Sequence, residues 1–268
     1  MLSAVRVTVG AMVSLTVAAC QISSGPDPAD NLATARDAIA AAADAGARIA
    51  LLPEAAMARF DTTLAEIAQP LDGPYADGLR EAAAAHGITV AAGMFEPADA
   101  GRVYNTVLVT GPDGDASYRK IHLYDAFGAR ESDTVAPGSQ LLTTTVEGLT
   151  IGVATCYDVR FADQFTALGA AGAQLILLPA SWGEGPGKAE QWDLLVRARA
   201  MDAQAWLLAC DQAWTDPVAG YALGIGRSAL CDPLGRVRSR LGHEPGVLVA
   251  DIDLDVVERT RKVVPILP

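Results

Sequence analysis

A thiol at the end of an apolar run is the first feature of this chain that could do chemistry. Ile151 to Phe161 reads IGVATCYDVRF; the β-branched Ile151 and Val153 predict a buried strand, which stops at Cys156, Tyr157 and Asp158. In α/β folds chemistry collects at the carboxyl ends of strands, where a sharp turn can project a side chain and aim backbone N–H groups at an oxyanion. A cysteine there can be a nucleophile, although a lone cysteine in an apolar run is more commonly core. A thiol is also mostly protonated at neutral pH and needs a base or a cation beside it. Two other strand ends offer them. LLPEAAM places Glu54 just past a Leu-rich strand, with Pro53 fixing the backbone, where a carboxylate can act as general base. YRKIHLYD places Lys120 just past a second predicted strand, where a buried ammonium can stabilise an oxyanion. Exposure is the ordinary fate of Glu and Lys, so the weight lies in finding the three together.

Positioning such groups takes several strands ending on one side of a fold. Ser14 to Gln21 predicts the first core strand. Pro28 to Ala45 carries Leu32, Ala35, Ile39 and Ala42 on one helical face, stops at Gly46 and gives way to a strand at Arg48 to Leu52. Pro74 to His86 repeats the unit, with Gly87 as the C-terminal cap and a strand at Ile88 to Met94. Val103 to Val109 and Ala116 to Tyr118 flank the turn GPDGD as a hairpin. Beyond Cys156 come a helix, a strand at Gln174 to Leu178, a helix at Lys188 to Gln204 and a strand at Trp206 to Asp211. Strand hairpins around DPLG at Asp232 to Gly235 finish the chain. Strands with helices between them predict a layered α/β fold.

Composition narrows the partners. With 268 residues and 51% hydrophobic content the chain can bury a large core, and one domain over 14–268 is expected behind an N-terminal extension at 1–13, with Met12 as an alternative start. A net charge of -12 argues against nucleic acid, which needs clustered Lys and Arg, and points to a small-molecule partner. Cys20, Cys156, Cys210 and Cys231 are scattered without a CxxC pair, which suits a reducing cytoplasm. VTVGAMVSLTVAAC, ending at Cys20, competes as a lipoprotein leader, but the following helix and strand units need Ser14 to Gln21 as a neighbour. No run is long enough to span a bilayer without polar or glycine interruptions, so no membrane partner is expected.

Several motifs fail. There is no GxSxG or HExxH, and the three histidines do not cluster as metal ligands would. GEGPGK at Gly183 to Lys188 looks like a phosphate loop, but Trp182 occupies its first glycine position and Ala189 its hydroxyl position. GIGRSA at Gly224 to Ala229 leads into a turn instead of the helix a dinucleotide site needs.

LLPE with Glu54, KIHLYD with Lys120 and CYDVRF with Cys156 resemble, in order, the three signature motifs of the nitrilase superfamily, the carbon–nitrogen hydrolases. AACQ at Ala18 to Gln21, ESDTVAPG from Glu131, ASW at Ala180 to Trp182, RARAMD at Arg197 to Asp202 and DPLG also look like family landmarks, so the resemblance covers the chain from Ser14 onward. The branch it is most similar to holds omega-amidases and deaminated-glutathione amidases. Two departures stand out: Ala162-Asp163 where members commonly have Pro-Glu, and Asp202-Ala203 where they have Glu-Asn. Both are expected to act on helix packing near the site.

The resemblance implies a four-layer α-β-β-α sandwich, a homodimer or higher homo-oligomer, and a Glu54-Lys120-Cys156 triad with Glu131 as a second carboxylate that positions Lys120 and the substrate amide. It implies hydrolysis of a small-molecule amide through a cysteine thioester, with no metal or organic cofactor. A nitrile hydrolase or an amide-forming acyltransferase would use the same triad. Tyr157, Asp158 and Arg160 are expected to support the turn and the oxyanion, Arg160 by pairing with carboxylates. Phe60, Met94 and Trp182 are candidates to line a pocket, although apolar residues at strand ends are more often core. Asn105 and Ser228 read as ordinary strand or turn groups.

Overall fold

Burial that continues along every central strand, on both faces, means that each sheet is covered twice. The computed structural model describes residues 4–7, 14–217 and 223–267. Within the 1–13 extension, β1 (Ala4–Val7) is an edge strand, and β2 (Ser14–Gln21) follows as the first core strand. α1 (Pro28–Asp44) begins where the Asp27 carboxylate accepts from the N–H groups of Ala29 and Asp30, with Pro28 setting the first turn. After β3 (Ile49–Leu51) and the short α2 (Leu64–Ile67) comes α3 (Pro74–His86), stopped by Gly87 at φ 63°, a left-handed cap that glycine takes without strain. β4 (Thr89–Pro97), the hairpin of β5 (Val103–Gly111) and β6 (Gly114–Arg119), and the brief β7 (Val135–Ala136) complete the first half. β4 outruns its predicted end at Met94 because it pairs with β5 as far as Pro97 and Val103.

The second half repeats the alternation: β8 (Leu142–Val146), β9 (Leu149–Val153), α4 (Ala162–Ala170), β10 (Leu175–Ala180), α5 (Lys188–Ala203) and β11 (Trp206–Asp211). β12 (Ala229–Cys231) and β13 (Val237–Arg240) form the hairpin around DPLG, and β14 (Gly246–Asp253) returns to the first sheet. The terminal helix α6 (Asp255–Val263) had no counterpart among the predicted elements. Only Val257 and Thr260 of its residues are buried, too thin a stripe to show as an apolar face.

One sheet runs β1-β14-β2-β3-β4-β5-β6 with β7 beside β5, and the other runs β13-β12-β11-β10-β9-β8. Alternate residues sort into three apolar layers. Val17, Ala19, Ile49 and Leu51 meet Ile151, Val153, Leu175 and Leu177 between the sheets. Ala18, Cys20, Ala50 and Leu52 face Ala35 and Ile39 of α1 and Leu79 and Ala83 of α3. Ile176, Leu178, Leu207 and Ala209 face Phe165 and Leu168 of α4 and Val196 and Ala200 of α5. The result is the four-layer α-β-β-α sandwich. Cys20, weighed above as a lipidation site, lies in β2 with its thiol buried and 3.6 Å from the Ala38 carbonyl oxygen. No helix among the described residues is long and apolar enough to cross a membrane.

The strand directions serve the site. β2, β3 and β4 are mutually parallel, and β6 is antiparallel to β5, which is antiparallel to β4. The carboxyl ends of β3 and β6 therefore lie at one end of the first sheet. β9, β10 and β11 are likewise parallel and end together in the second.

The outer helices pack closely enough to be tested. A Cβ on Gly169 of α4 would stand 2.3 Å from the carbonyl oxygen of Ala203 at the end of α5. Helix propensity alone would make Gly169→Ala stabilising by about 1 kcal/mol. The backbone clash should reverse the sign and cost about 1–3 kcal/mol. The urea midpoint of the variant against the parent protein checks this.

Candidate active site

Glu54 follows β3 directly, in a turn that packs against β4. Gly93 lets it do so, because a Cβ there would come within 2.7 Å of the Pro53 carbonyl oxygen and the Ala55 nitrogen. The carboxylate is 1% exposed, so its oxygens must find donors inside the protein. Oε1 accepts from Lys120 Nζ at 2.9 Å and Asn105 Nδ2 at 2.8 Å, and Oε2 accepts from the Ser181 N–H at 2.9 Å. Ser181 follows β10, so this last bond ties the active ends of the two sheets together.

Lys120 follows β6. Its N–H donates to the Asn105 carbonyl, and its own carbonyl accepts from Gly138, where a Cβ would strike the Arg119 oxygen. Nζ lies 2.9 Å from Glu54 and 2.9 and 3.1 Å from the two oxygens of Glu131. Burial disfavours the ammonium, but Glu131 and Glu54 outweigh it and hold Lys120 well above the ordinary lysine range. Glu131 is fixed in turn by the Tyr124 N–H, which donates to its Oε2 at 2.6 Å.

Cys156 starts a short turn after β9 with φ 45°, a left-handed conformation that costs a non-glycine residue about 1–2 kcal/mol. Asp158 holds that turn. Its Oδ2 accepts from the Thr155 N–H at 2.8 Å and the Tyr118 hydroxyl at 2.6 Å, and its Oδ1 takes the His122 N–H at 3.0 Å and lies 2.8 Å from His122 Nδ1. The hydrogen bond to Asp158 raises the His122 pKa against partial burial, and the imidazole stacks on Phe161 at 3.6 Å. Asp158 thus couples the Cys156 turn to the segment that follows Lys120.

Cys156 is 7% exposed, and the Glu54 carboxylate is near enough for its charge to act on the thiol. Burial first, then the negative charge of Glu54, push it well above the ordinary cysteine range against the pull of the Lys120 ammonium. The resting state is a protonated thiol next to a carboxylate. Such an arrangement can deliver a thiolate only as the proton passes to Glu54, which is general-base activation.

The structure therefore brings Glu54, Lys120, Glu131 and Cys156 into one buried cluster with Asp158 beneath it. Tyr157 packs edge-on against Tyr124 and Phe161. Trp182, 2% exposed, packs against Trp192 in the apolar cluster that also holds Cys156. Other expectations are corrected. Arg160 pairs with no carboxylate among the described residues; its Nη2 donates to Gln191 Oε1 at 2.7 Å and its guanidinium lies 5.0 Å from the Trp182 ring. Met94 is wholly buried in the layer between the first sheet and its helices, and Phe60 packs against that same layer, edge-on to Phe95 at 5.4 Å. Met94 is core, as apolar residues at strand ends commonly are, whereas Phe60 is only partly buried at the edge of that layer. Asn105 is more than an ordinary strand group, since its Nδ2 also reaches Glu131 Oε1 at 3.2 Å and so bridges the two carboxylates. Ser228 is structural, with its Oγ accepting from Asp211.

Asn105, Tyr118 and His122 carried no sequence signal beyond lying on or beside the predicted hairpin that ends at Lys120. Of the two departures, Ala162-Asp163 forms the exposed start of α4, whereas Ala203 is buried where α5 meets Gly169. Among the described residues no group of three or more His, Cys, Asp or Glu side chains is placed to hold a metal ion.

Comparison with known proteins adds the following. The family model described as carbon-nitrogen hydrolase matches residues 16–262. A hydrolase of Mycobacterium tuberculosis is 46% identical over 266 residues, 94% of each chain. An omega-amidase of Danio rerio is 34% identical, over 95% of this chain and 94% of its own. Among solved structures, Saccharomyces cerevisiae Nit3, of branch 10 of the nitrilase superfamily, superposes with a TM-score of 0.84 at 26% identity, covering 95% of this chain and 96% of that one. An amidase from Nesterenkonia sp. AN1, in a variant with acrylamide added to its active-site cysteine, gives 0.78 at 27% identity, covering 94% and 98%.

The charge arrangement around the thiol predicts the sign of a measurable shift. Because Glu54 holds the Cys156 proton on, Glu54→Gln should lower the pH at which the thiolate forms, leaving burial and Lys120 to set it. Thiolate absorbance in the ultraviolet, followed against pH in both proteins, reads this; an unchanged or higher midpoint in the variant breaks the assigned coupling.

Proposed function

Because the chain belongs to the carbon–nitrogen hydrolase family, we propose that it converts a small-molecule amide to a carboxylic acid and ammonia through a thioester on Cys156. The observation that carries this reading is a buried carboxylate, close enough to the Cys156 thiol to act on it, that also binds a buried ammonium. Those are the base and the oxyanion charge that a thiol needs to attack an amide.

Glu54 takes the proton of Cys156 as Sγ attacks the carbonyl carbon. The negative charge moving onto the carbonyl oxygen is met by Lys120 Nζ and by the backbone N–H of Tyr157, at the start of the turn where N–H groups have no helical partner. Glu54 then gives its proton to the amide nitrogen, the carbon–nitrogen bond breaks, ammonia leaves and a thioester remains. Water, deprotonated by Glu54, attacks the thioester carbonyl, and the acid leaves as the sulfur regains its proton. Glu131 keeps Lys120 charged and aimed throughout, and an amide N–H can donate to it. Little of this requires movement. The charges are already in place before substrate arrives, which removes most of the reorganisation cost of the chemical step.

With an amide substrate, intact-protein mass spectrometry should show an acyl adduct on the parent protein and none on Cys156→Ala, which should have no turnover. Glu54→Gln and Lys120→Ala should each lower kcat by about 10²–10⁴. Ammonia and free acid in equal amounts distinguish hydrolysis from transfer of the acyl group to another acceptor, and a nitrile tested alongside separates an amidase from a nitrile hydrolase. Wild-type turnover in Cys156→Ala would sink the covalent mechanism.

A further inference from the structure

Asp211, the last residue of β11, is wholly buried and takes no part in the steps above. No Lys, Arg or His among the described residues lies within ion-pair distance of it. Its partners are backbone groups: Oδ1 accepts from the Trp182 N–H at 2.7 Å and Oδ2 from the Ile225 N–H at 2.9 Å. Burial raises its pKa well above the ordinary carboxylate range, against the pull of those two N–H groups, and the Glu54 charge adds to the rise. A carboxyl group buried without a cation is costly, so what it holds matters.

One of these donors sits next to the general base. Trp182 follows Ser181, whose N–H donates to Glu54 Oε2 at 2.9 Å. Two successive N–H groups of one turn are thus each held by a buried carboxyl group. Fixing one peptide plane restrains the other, because only the two dihedrals of Ser181 lie between them. At Cys156, burial and the Glu54 charge keep the proton on, whereas Lys120 and this same Ser181 N–H favour its loss. The second donor, Ile225, lies in GIGRSA. A Cβ on Gly224 would stand 2.2 Å from the Gln212 carbonyl oxygen, and Gly226, at φ 65°, donates its N–H to that oxygen at 2.9 Å. The glycines let this strap lie on the end of β11, where it delivers the Ile225 N–H to Asp211. Gln212 completes the bracket: its Nε2 donates to the Glu54 carbonyl oxygen at 2.9 Å and its N–H to that of Ala180 at 3.1 Å.

Glu54 has one oxygen open for proton transfer. Oε1 already accepts from Lys120 and Asn105, whereas Oε2 accepts only from Ser181 among the described residues and keeps a lone pair open. Building on the amide-hydrolase reading, we propose that Asp211 is a positioning residue for this base. By holding the Trp182 N–H it keeps the Ser181 N–H on Oε2, and so fixes the lone pair that takes the Cys156 proton and hands it to the leaving nitrogen. A carboxyl group with two acceptor oxygens suits the place, because each oxygen faces an N–H donor. An asparagine would turn its NH2 toward one of them and leave a buried donor unpaired.

The test compares kcat/KM for an amide that the parent protein hydrolyses with kcat/KM for the p-nitrophenyl ester of the same acid. An amide nitrogen leaves only with a proton from Glu54, whereas p-nitrophenolate leaves without one. Asp211→Asn should lower the amide-to-ester ratio by about tenfold or more, through kcat and not KM. A ratio taken within one variant does not depend on how much of it is folded. Equal losses on both substrates, or no loss on either, overturn the proposal while leaving amide hydrolysis intact. Hydrogen exchange at single amides, read by mass spectrometry, is the second measurement. In Asp211→Asn the Ser181 amide, which bonds Glu54 and not Asp211, should exchange at least about tenfold faster while the amides of α3 keep the parent rate. Unchanged exchange at Ser181 overturns the proposal. If Asp211→Asn does not fold, Asp211→Ser, which keeps one acceptor, takes its place under both criteria. If no amide releases ammonia, the hydrolase reading fails, and exchange at Ser181 alone decides whether Asp211 holds that turn.

Discussion

Two carboxylates and one ammonium, all but closed to water, set the terms for the rest of the molecule. The side chains of Glu54, Lys120 and Glu131 are 1%, 2% and 8% exposed, and moving such charges out of water costs several kcal/mol each. Their mutual attraction offsets this only with close contact and with donors for the remaining oxygens. Those donors come from distant places: Asn105 in β5, Ser181 after β10 and Tyr124 before Glu131. The cluster is therefore stable only if β3, β5, β6 and β10 deliver their ends to one point. A fold in which either sheet slipped would leave an unpaired buried charge, which costs about 3–5 kcal/mol.

The sandwich meets that demand through backbone rather than side-chain length. Ser181 donates its N–H to Glu54 across the boundary between the sheets. Gly93 and Gly138 allow the turns carrying Glu54 and Lys120 to press against neighbouring backbone. On the other side of the site, Asp158 collects bonds from Thr155, Tyr118 and His122, and so holds Cys156 in a conformation it would not adopt alone. Strain at the nucleophile is stable because the surroundings over-determine it.

A protonated resting thiol has a functional consequence. A cysteine already ionised by a cation would react with any electrophile that reached it. Here burial and the Glu54 charge together outweigh Lys120 and favour the protonated sulfur. In the mechanism proposed above, the same carboxylate that suppresses the thiolate at rest receives its proton during attack, which ties reactivity to a bound substrate.

Much of this was legible in the residues. The α3 helix, with Pro74 at its start and Gly87 beyond its end, and the β5–β6 hairpin follow from local backbone preferences, which act over a few residues and leave a pattern in them. Glu54, Lys120 and Cys156 stood out because each lies just past a predicted strand, and their motifs resemble those of one family. What local pattern does not carry is which side chain faces which across the sandwich. Asn105 became a bridge between carboxylates, Arg160 turned to Gln191 and Trp182 instead of a carboxylate, and Met94 went to the helix-facing layer, all by contacts between segments far apart in the chain. α6 escaped for the same reason, its burial resting on two side chains. The sequence by itself determined the strand ends and the chemistry they carry, because both are short-range properties. The assembly of those ends into one charged cluster was decided by tertiary structure alone, because contacts between buried charges depend on distances that no spacing in the chain records.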